Sequence, residues 1–205
     1  MKKLKAAIIY HSCSIRASER QAAFSGLREF EKFGVECELI DVSNESVRKV
    51  KRGFVLKDAI YSRELSIHPF DLFHSSAREF LSGLFIEVDV RGIALTESVL
   101  FSTEGQMRSR SLGLSAHGIG GIVSVSRLRE ICYSAQAMRA IRLAVMHEMG
   151  HVLGRKDHCS NDGCLMQENR NHMDFVERFV EMDRKICMDC SGIIASTVPR
   201  LTSDL

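Results

Sequence analysis

His147, Glu148 and His151 stand in the spacing H-E-x-x-H. On a helix, four residues turn the chain by roughly 400°, so both histidines share one face. Two imidazoles on one face can hold a single zinc ion. Glu148, offset by about 100°, can reach a water on that metal. Zinc lowers the pKa of such a water from about 15.7 towards about 7 and polarises a carbonyl. A carboxylate at this position can take the water's proton and pass it to a leaving amine. Gly154 follows, where a helix can stop, because glycine tolerates a left-handed C-terminal cap. The chain can then turn back with a third ligand. Two residues are candidates, Asp157 and His158, and both types ligate zinc.

A second set of potential ligands begins at the next residue. Cys159 and Cys164 are five apart, and Cys187 and Cys190 form C-x-x-C beyond an intervening helical segment. Two cysteine pairs joined by a helix can make a closed tetrahedral thiolate site, which has no open position for chemistry. A redox role is disfavoured, because this C-x-x-C does not open a helix after a strand. Cys13, Cys37 and Cys132 are scattered and read as small buried or half-buried residues. His117 is a lone loop histidine and is not assigned as a ligand.

The elements that must position these residues are partly visible. Residues 134–153 carry the strongest helical pattern, with Ala137, Ile141, Ala144 and Val145 on the apolar side leading into His147. Residues 5–10 and 36–42 read as strands flanking a helix over 16–33 that Gly34 closes, a βαβ opening with parallel strands. No glycine-rich phosphate loop follows the first strand, since His11-Ser12-Cys13-Ser14 stands there, so nucleotide binding is not expected. Strand character recurs at 84–90 and 92–95, while 101–110 is polar and loop-like. Residues 122–126 alternate apolar with serine after a glycine-rich loop. They suit a half-buried strand that could be an edge for an extended peptide. Residues 171–186 read as a second helix, and 191–205 as an extended or frayed tail. The basic run Arg48–Arg52 reads as a solvated face.

The chain's 205 residues suit one domain, with a cysteine subregion over 159–190. Its 45% hydrophobic and 26% charged residues are those of an ordinary globular protein. A net charge of +2 is too mild to argue for a nucleic-acid or membrane partner. The basic start, Met1–Lys5, precedes an apolar run too short for a secretory leader. No run approaches the ~18 apolar residues of a membrane span. A cytoplasmic monomer with reduced thiols is the expectation, and clustered cysteines there point to metal.

The combined string resembles the archaemetzincins, a family within the metzincin clan of zinc peptidases. That family's pattern runs H-E-x-x-H-x-x-G, a third histidine with a cysteine directly after it, C-x4-C-x-M, and a later C-x-x-C. The matching positions are His147, Glu148, His151, Gly154, His158, Cys159, Cys164, Met166, Cys187 and Cys190. Residues 121–129 also resemble the family's strand and Arg-Leu segment, so the likeness covers about residues 118–190. Two departures stand out. The usual third-ligand spacing falls on Asp157, with His158 one residue later but still beside Cys159, and the interval from Met166 to Cys187 is longer than usual.

The resemblance implies a mixed α+β, α/β-type fold: a metzincin-like mixed sheet with an active-site helix, a C-terminal helix and a four-cysteine zinc site. It implies two zinc ions per chain, one catalytic on His147, His151 and His158, one structural on Cys159, Cys164, Cys187 and Cys190. Met166 would be the methionine of the Met-turn, a hydrophobic floor beneath the metal. The implied reaction is hydrolysis of a peptide or protein substrate, with Glu148 as general base and acid. Two other classes compete: a zinc-bound scaffold whose cleft is closed or inactive, and a metal-dependent endoribonuclease of the ribosomal-RNA-maturation kind. The latter's pattern lacks both the glutamate after the first histidine and the four cysteines.

Overall fold

A computed structural model of the chain describes residues 3–10, 15–41, 85, 90–97, 100–104, 107–169 and 172–203. Strand β1 (Leu4–Tyr10), helix α1 (Ala17–Arg28) and strand β2 (Val35–Asp41) form the expected unit, with β1 and β2 parallel from Leu4↔Val35 to Tyr10↔Asp41. Glu19 in the first turn of α1 accepts a hydrogen bond from the Arg16 backbone N–H at 2.8 Å, the reciprocal half of a capping box. A short 3-10 turn, Glu31–Phe33, ends at Gly34 with φ 84, a left-handed conformation that glycine adopts without cost.

Strand β3 (Arg91–Thr96) is buried along its whole length and lies parallel to β1. Burial on both faces is why it reads as a short continuous apolar run rather than an alternation. A hairpin of β4 (Leu100–Glu104) and β5 (Met107–Ser111) follows as a separate two-stranded sheet. This corrects the expected loop over 101–110. The hairpin's residues are largely polar, so no apolar alternation marks them as strands.

Strand β6 (Gly113–Ala116) then pairs antiparallel with β7 (Gly120–Ser124), and β7 lies parallel to β3. The main sheet has the order β2-β1-β3-β7-β6. The strand read from sequence near 122–126 is therefore β7 and is interior. Among the described residues the edge beside it is β6. The expected strand over 84–90 lies largely outside the described residues, as do His11–Ser14 and the basic run at 48–52.

Ser124 ends the sheet and caps helix α2 (Val125–Ile131), its hydroxyl accepting from the Arg127 N–H at 3.4 Å. Helix α3 (Ser134–Leu153) spans the 20 residues read from the pattern. One core joins Ile8, Ile93, Leu95 and Val123 of the sheet to Ala23 and Leu27 of α1 and Ala140, Ile141 and Ala144 of α3. Gly26 lets α1 approach α3 closely, since a Cβ there would lie 2.5 Å from the Arg142 carbonyl oxygen.

The C-terminal part departs from expectation. The helix read over 171–186 is a single turn, α4 (His172–Phe175), continued by a π-helical turn, Val176–Val180. The i→i+5 bonds Glu181 N–H to Val176 O (3.0 Å) and Arg184 N–H to Phe179 O (3.1 Å) mark this wider winding. Residues 191–205, read as a tail, belong mostly to helix α5 (Met188–Ser203). Buried Cys190, Ile194 and Val198 repeat every four residues along it, Ile194 and Val198 packing in the main core and Cys190 in a smaller cluster with the other cysteines. No helix among the described residues is long and apolar enough to cross a membrane.

Candidate metal centre

Helix α3 delivers His147, Glu148 and His151 in its last two turns, and all three are nearly buried, at 6%, 8% and 9% exposure. The helix ends at Gly154, whose N–H bonds to the Gly150 carbonyl at 3.1 Å. Gly154 has φ −163, which is extended and not the left-handed cap expected from sequence. Its reason is close packing: a Cβ there would lie 2.9 Å from Ile194 Cγ1 and 3.0 Å from Ile194 Cα on α5.

The chain then turns back and brings an exposed His158 to the buried pair. Ring centroids lie 4.8 Å apart for His147–His151, 5.5 Å for His147–His158 and 5.0 Å for His151–His158. One nitrogen from each ring lies within 4.8 Å of the others. Asp157, exposed one residue earlier, does not join this group.

The hydrogen bonds fix the buried tautomers. His147 Nδ1 faces the Leu165 carbonyl oxygen at 2.7 Å, and His151 Nδ1 faces that of Arg155 at 2.6 Å. A carbonyl only accepts, so each Nδ1 carries the ring's proton and each Nε2 is left with a lone pair. The two Nε2 atoms are 3.1 Å apart. Two buried acceptors at this distance repel unless a cation lies between them. Tetrahedral zinc with bonds of about 2.05 Å holds its ligand nitrogens roughly 3.3 Å apart, so the donor set fits that ion. Burial, with His151 adjacent, depresses the His147 pKa to about 3, and burial depresses that of His151 to about 4. Both rings are therefore neutral near pH 7, the state a metal ligand needs.

Glu148 turns towards the edge strand β6. Gly113 and Ser115 are two apart on β6 and so present the same face. A Cβ on Gly113 would lie 2.6 Å from Glu148 Oε1, so only a glycine leaves room for the carboxylate. Burial pushes the Glu148 pKa up to about 7, and the Ser115 side chain opposes the rise. Neither Gly113 nor Ser115 was singled out from sequence, because a four-residue strand is too short to show a period. Gly113→Ala is expected to displace the Glu148 carboxylate and destabilise the protein by about 1–3 kcal/mol, the usual cost of overpacking. Urea unfolding of the variant checks this, and unchanged stability would mean that the strand yields freely.

Met166 is fully buried and packs on Gly150 of α3, where a Cβ would lie 2.8 Å from Met166 Cε. This seats the segment after the third histidine against the helix between the two ligand positions.

The four cysteines converge beside this site. Cys159 and Cys187 sulfurs lie 3.9 Å apart, those of Cys164 and Cys190 3.8 Å apart, and all four fall within 4.8 Å. A disulfide needs about 2.05 Å. Sulfurs around tetrahedral zinc, with bonds of about 2.3 Å, stand roughly 3.8 Å apart. The cluster thus has the dimensions of a thiolate metal site. Backbone N–H groups of Asn161, Met166 and Cys187 point at its sulfurs, each at 3.4 Å. Donors of this kind stabilise thiolate charge on Cys159 and Cys164. Burial would raise the Cys187 thiol, but the Cys190 backbone N–H and the neighbouring cysteine side chains hold it below its ordinary pKa. Burial pushes Cys164 and Cys190 the other way. Cys187-x-x-Cys190 straddles the start of α5, a helix not read from the sequence. Cys37 is half-buried and Cys132 buried, as expected, and neither joins the cluster.

The sequence matches no protein-family profile and no curated protein. The structure does match a solved one. The crystal structure of an archaemetzincin from Methanopyrus kandleri aligns with a TM-score of 0.62, covering 97% of this chain and 97% of that chain at 17% identity. The fold is that of an archaemetzincin. The archaemetzincin fold here comprises the five-stranded mixed sheet, the α3 helix carrying H-E-x-x-H, and a four-cysteine cluster able to hold a metal. His117, on the turn between β6 and β7, is tied to the end of α3 instead of joining the histidine group. Its Nδ1 lies 3.1 Å from the His151 carbonyl oxygen, and the Gly118 N–H bonds to Val152 O at 2.8 Å.

Proposed function

We propose that this protein is a zinc-dependent peptidase, with His147, His151 and His158 holding the catalytic ion and Glu148 acting as general base and then acid. The observation that carries this reading is the 3.1 Å pair of unprotonated Nε2 atoms, with a buried carboxylate on the next residue of the same helix. When bound, zinc supplies a water acidic enough to be deprotonated near neutral pH and polarises the substrate carbonyl.

The chain's own residues supply the rest. The carbonyls of Leu165 and Arg155 orient the buried rings. Gly113 leaves room for the Glu148 carboxylate, which would take a proton from the attacking water and deliver it to the leaving amine. Strand β6, with β7 as its only strand partner among the described residues, offers a free edge for an extended peptide beside that carboxylate. The substrate is a peptide or protein, and no nucleic acid or membrane takes part. The protein works as a cytoplasmic monomer. Cys159, Cys164, Cys187 and Cys190 hold a second, structural zinc.

Metal analysis after exhaustive dialysis is expected to give two zinc ions per chain. A wild-type value of one would reject the four-cysteine zinc. The peptidase reading is tested by zinc-restored cleavage of a peptide library. No cleavage by fully zinc-loaded protein would overturn it.

A further inference from the structure

The histidine and cysteine clusters share one short segment, residues 158–166. Its first residue is His158, and its second is Cys159. Its last three are Cys164, Leu165 and Met166. Three supports of the histidine site lie in it: the His158 ring, the Leu165 carbonyl that orients His147, and Met166 packed on Gly150. Each support adjoins a cysteine of the other cluster or a group bonded to one.

The segment is closed on itself by the Cys159 N–H donating to the Met166 carbonyl at 2.8 Å. The Met166 N–H in turn points at Cys164 Sγ, 3.4 Å away, and Cys187 N–H reaches the same sulfur at 3.4 Å. Leu165 N–H bonds to Lys185 O at 2.9 Å, just before the second cysteine pair.

Little apolar packing fixes this segment from the cysteine side. Cys159, Cys164, Met166 and Cys190 form a small cluster apart from the main core, with Ile186 and Cys187 beside it. Three of its four buried members are cysteines, whose burial contributes little beyond their small area. A cation held by the four sulfurs adds a cross-link to the segment beyond what the buried Leu165 side chain and these hydrogen bonds give.

We infer that metal in the four-cysteine cluster sets the metal affinity of the histidine cluster, so that the two sites load cooperatively with the cysteines first. The inference rests on the reading that the histidines bind zinc. The linking element is segment 158–166, ordered by the thiolate-bound ion and thereby presenting His158, the Leu165 carbonyl and Met166 together. Coupling of this kind is reciprocal: each ion raises the other's affinity by the same factor.

The test measures metal binding and needs no turnover. Metal-free, fully reduced protein receives one equivalent of cadmium, a thiophilic ion, whose sulfur-to-metal charge-transfer absorption reports filling of the cysteine cluster. Zinc is then titrated calorimetrically into cadmium-loaded wild-type protein and into metal-free Cys187→Ser/Cys190→Ser, whose cysteine cluster lacks half its ligands. The expected zinc affinity at the histidines is roughly 5–150-fold tighter in the cadmium-loaded wild type, the usual range for coupled sites. Circular dichroism checks that the variant folds, and Cys159→Ser/Cys164→Ser takes its place if it does not. Equal zinc affinities at the histidines of the two proteins would overturn the coupling while leaving the histidine site intact. Zinc binding at the histidines in neither protein would overturn the coupling and the peptidase reading together.

Discussion

Glu148→Gln is expected to lower peptide turnover by roughly 10²–10⁴-fold, the range for loss of a general acid–base group, while zinc content stays at the wild-type value. The glutamine keeps the shape that Gly113 accommodates. It cannot accept a proton from water. The change spares His147 and His151, whose orientation comes from backbone carbonyls of Leu165 and Arg155. Steady-state hydrolysis and metal analysis on one preparation decide the matter. Turnover within tenfold of wild type would remove Glu148 from its role. A large loss of zinc would instead mean that the carboxylate supports the metal.

Arg129→Met is expected to cost about 3 kcal/mol of stability near neutral pH, because it strands a buried carboxylate. Glu19 has no solvent exposure and is held by Arg129 through two bonds, from Nε at 2.5 Å and from the second terminal nitrogen at 2.6 Å. Arg129 also reaches Glu97 at 2.6 Å, just past β3, so one guanidinium ties α1, α2 and the sheet together. Burial alone would raise the Glu19 pKa, but the Arg129 and Arg16 hydrogen bonds and charges outweigh it and leave a net depression. A carboxylate depressed in the folded state stabilises fully above its ordinary pKa, and that contribution fades as pH falls through the folded value. The penalty of Arg129→Met should therefore shrink on acidification. Urea unfolding of both proteins at pH 7 and at about pH 3 tests the sign, the latter lying below the ordinary glutamate value of about 4.3. A penalty that grew at the lower pH would contradict it.

The parts legible in the sequence were those with a strong period or a chemical spacing. Helix α3 carries buried Ala137, Ile141, Ala144 and Val145 at helical intervals, and its observed limits are those read from the pattern. The ligand clusters were legible because spacing itself carries the signal, although only the fold shows that His158 and not Asp157 meets the buried pair. Helix α5 was missed for a physical reason. It contains Gly192, Pro199 and several Ser and Thr residues, all poor helix formers, and docking of Cys190, Ile194 and Val198 overrides that weak propensity. Gly154 was assigned the wrong cause because a single sequence does not reveal which neighbour approaches. The role of β6 was hidden by its length, and its Gly113 acquires meaning only beside Glu148.

That edge strand has a cost as well as a use. Unpaired backbone donors and acceptors that suit a peptide suit a strand from another copy of the chain equally well, so an open edge invites self-association. The four residues of β6 limit how many rungs such a foreign ladder could gain. Gly113 and Ser115 also give its helix-facing side almost no apolar grip. Brevity therefore lets β6, paired only with β7 among the described residues, resist sticking to another copy.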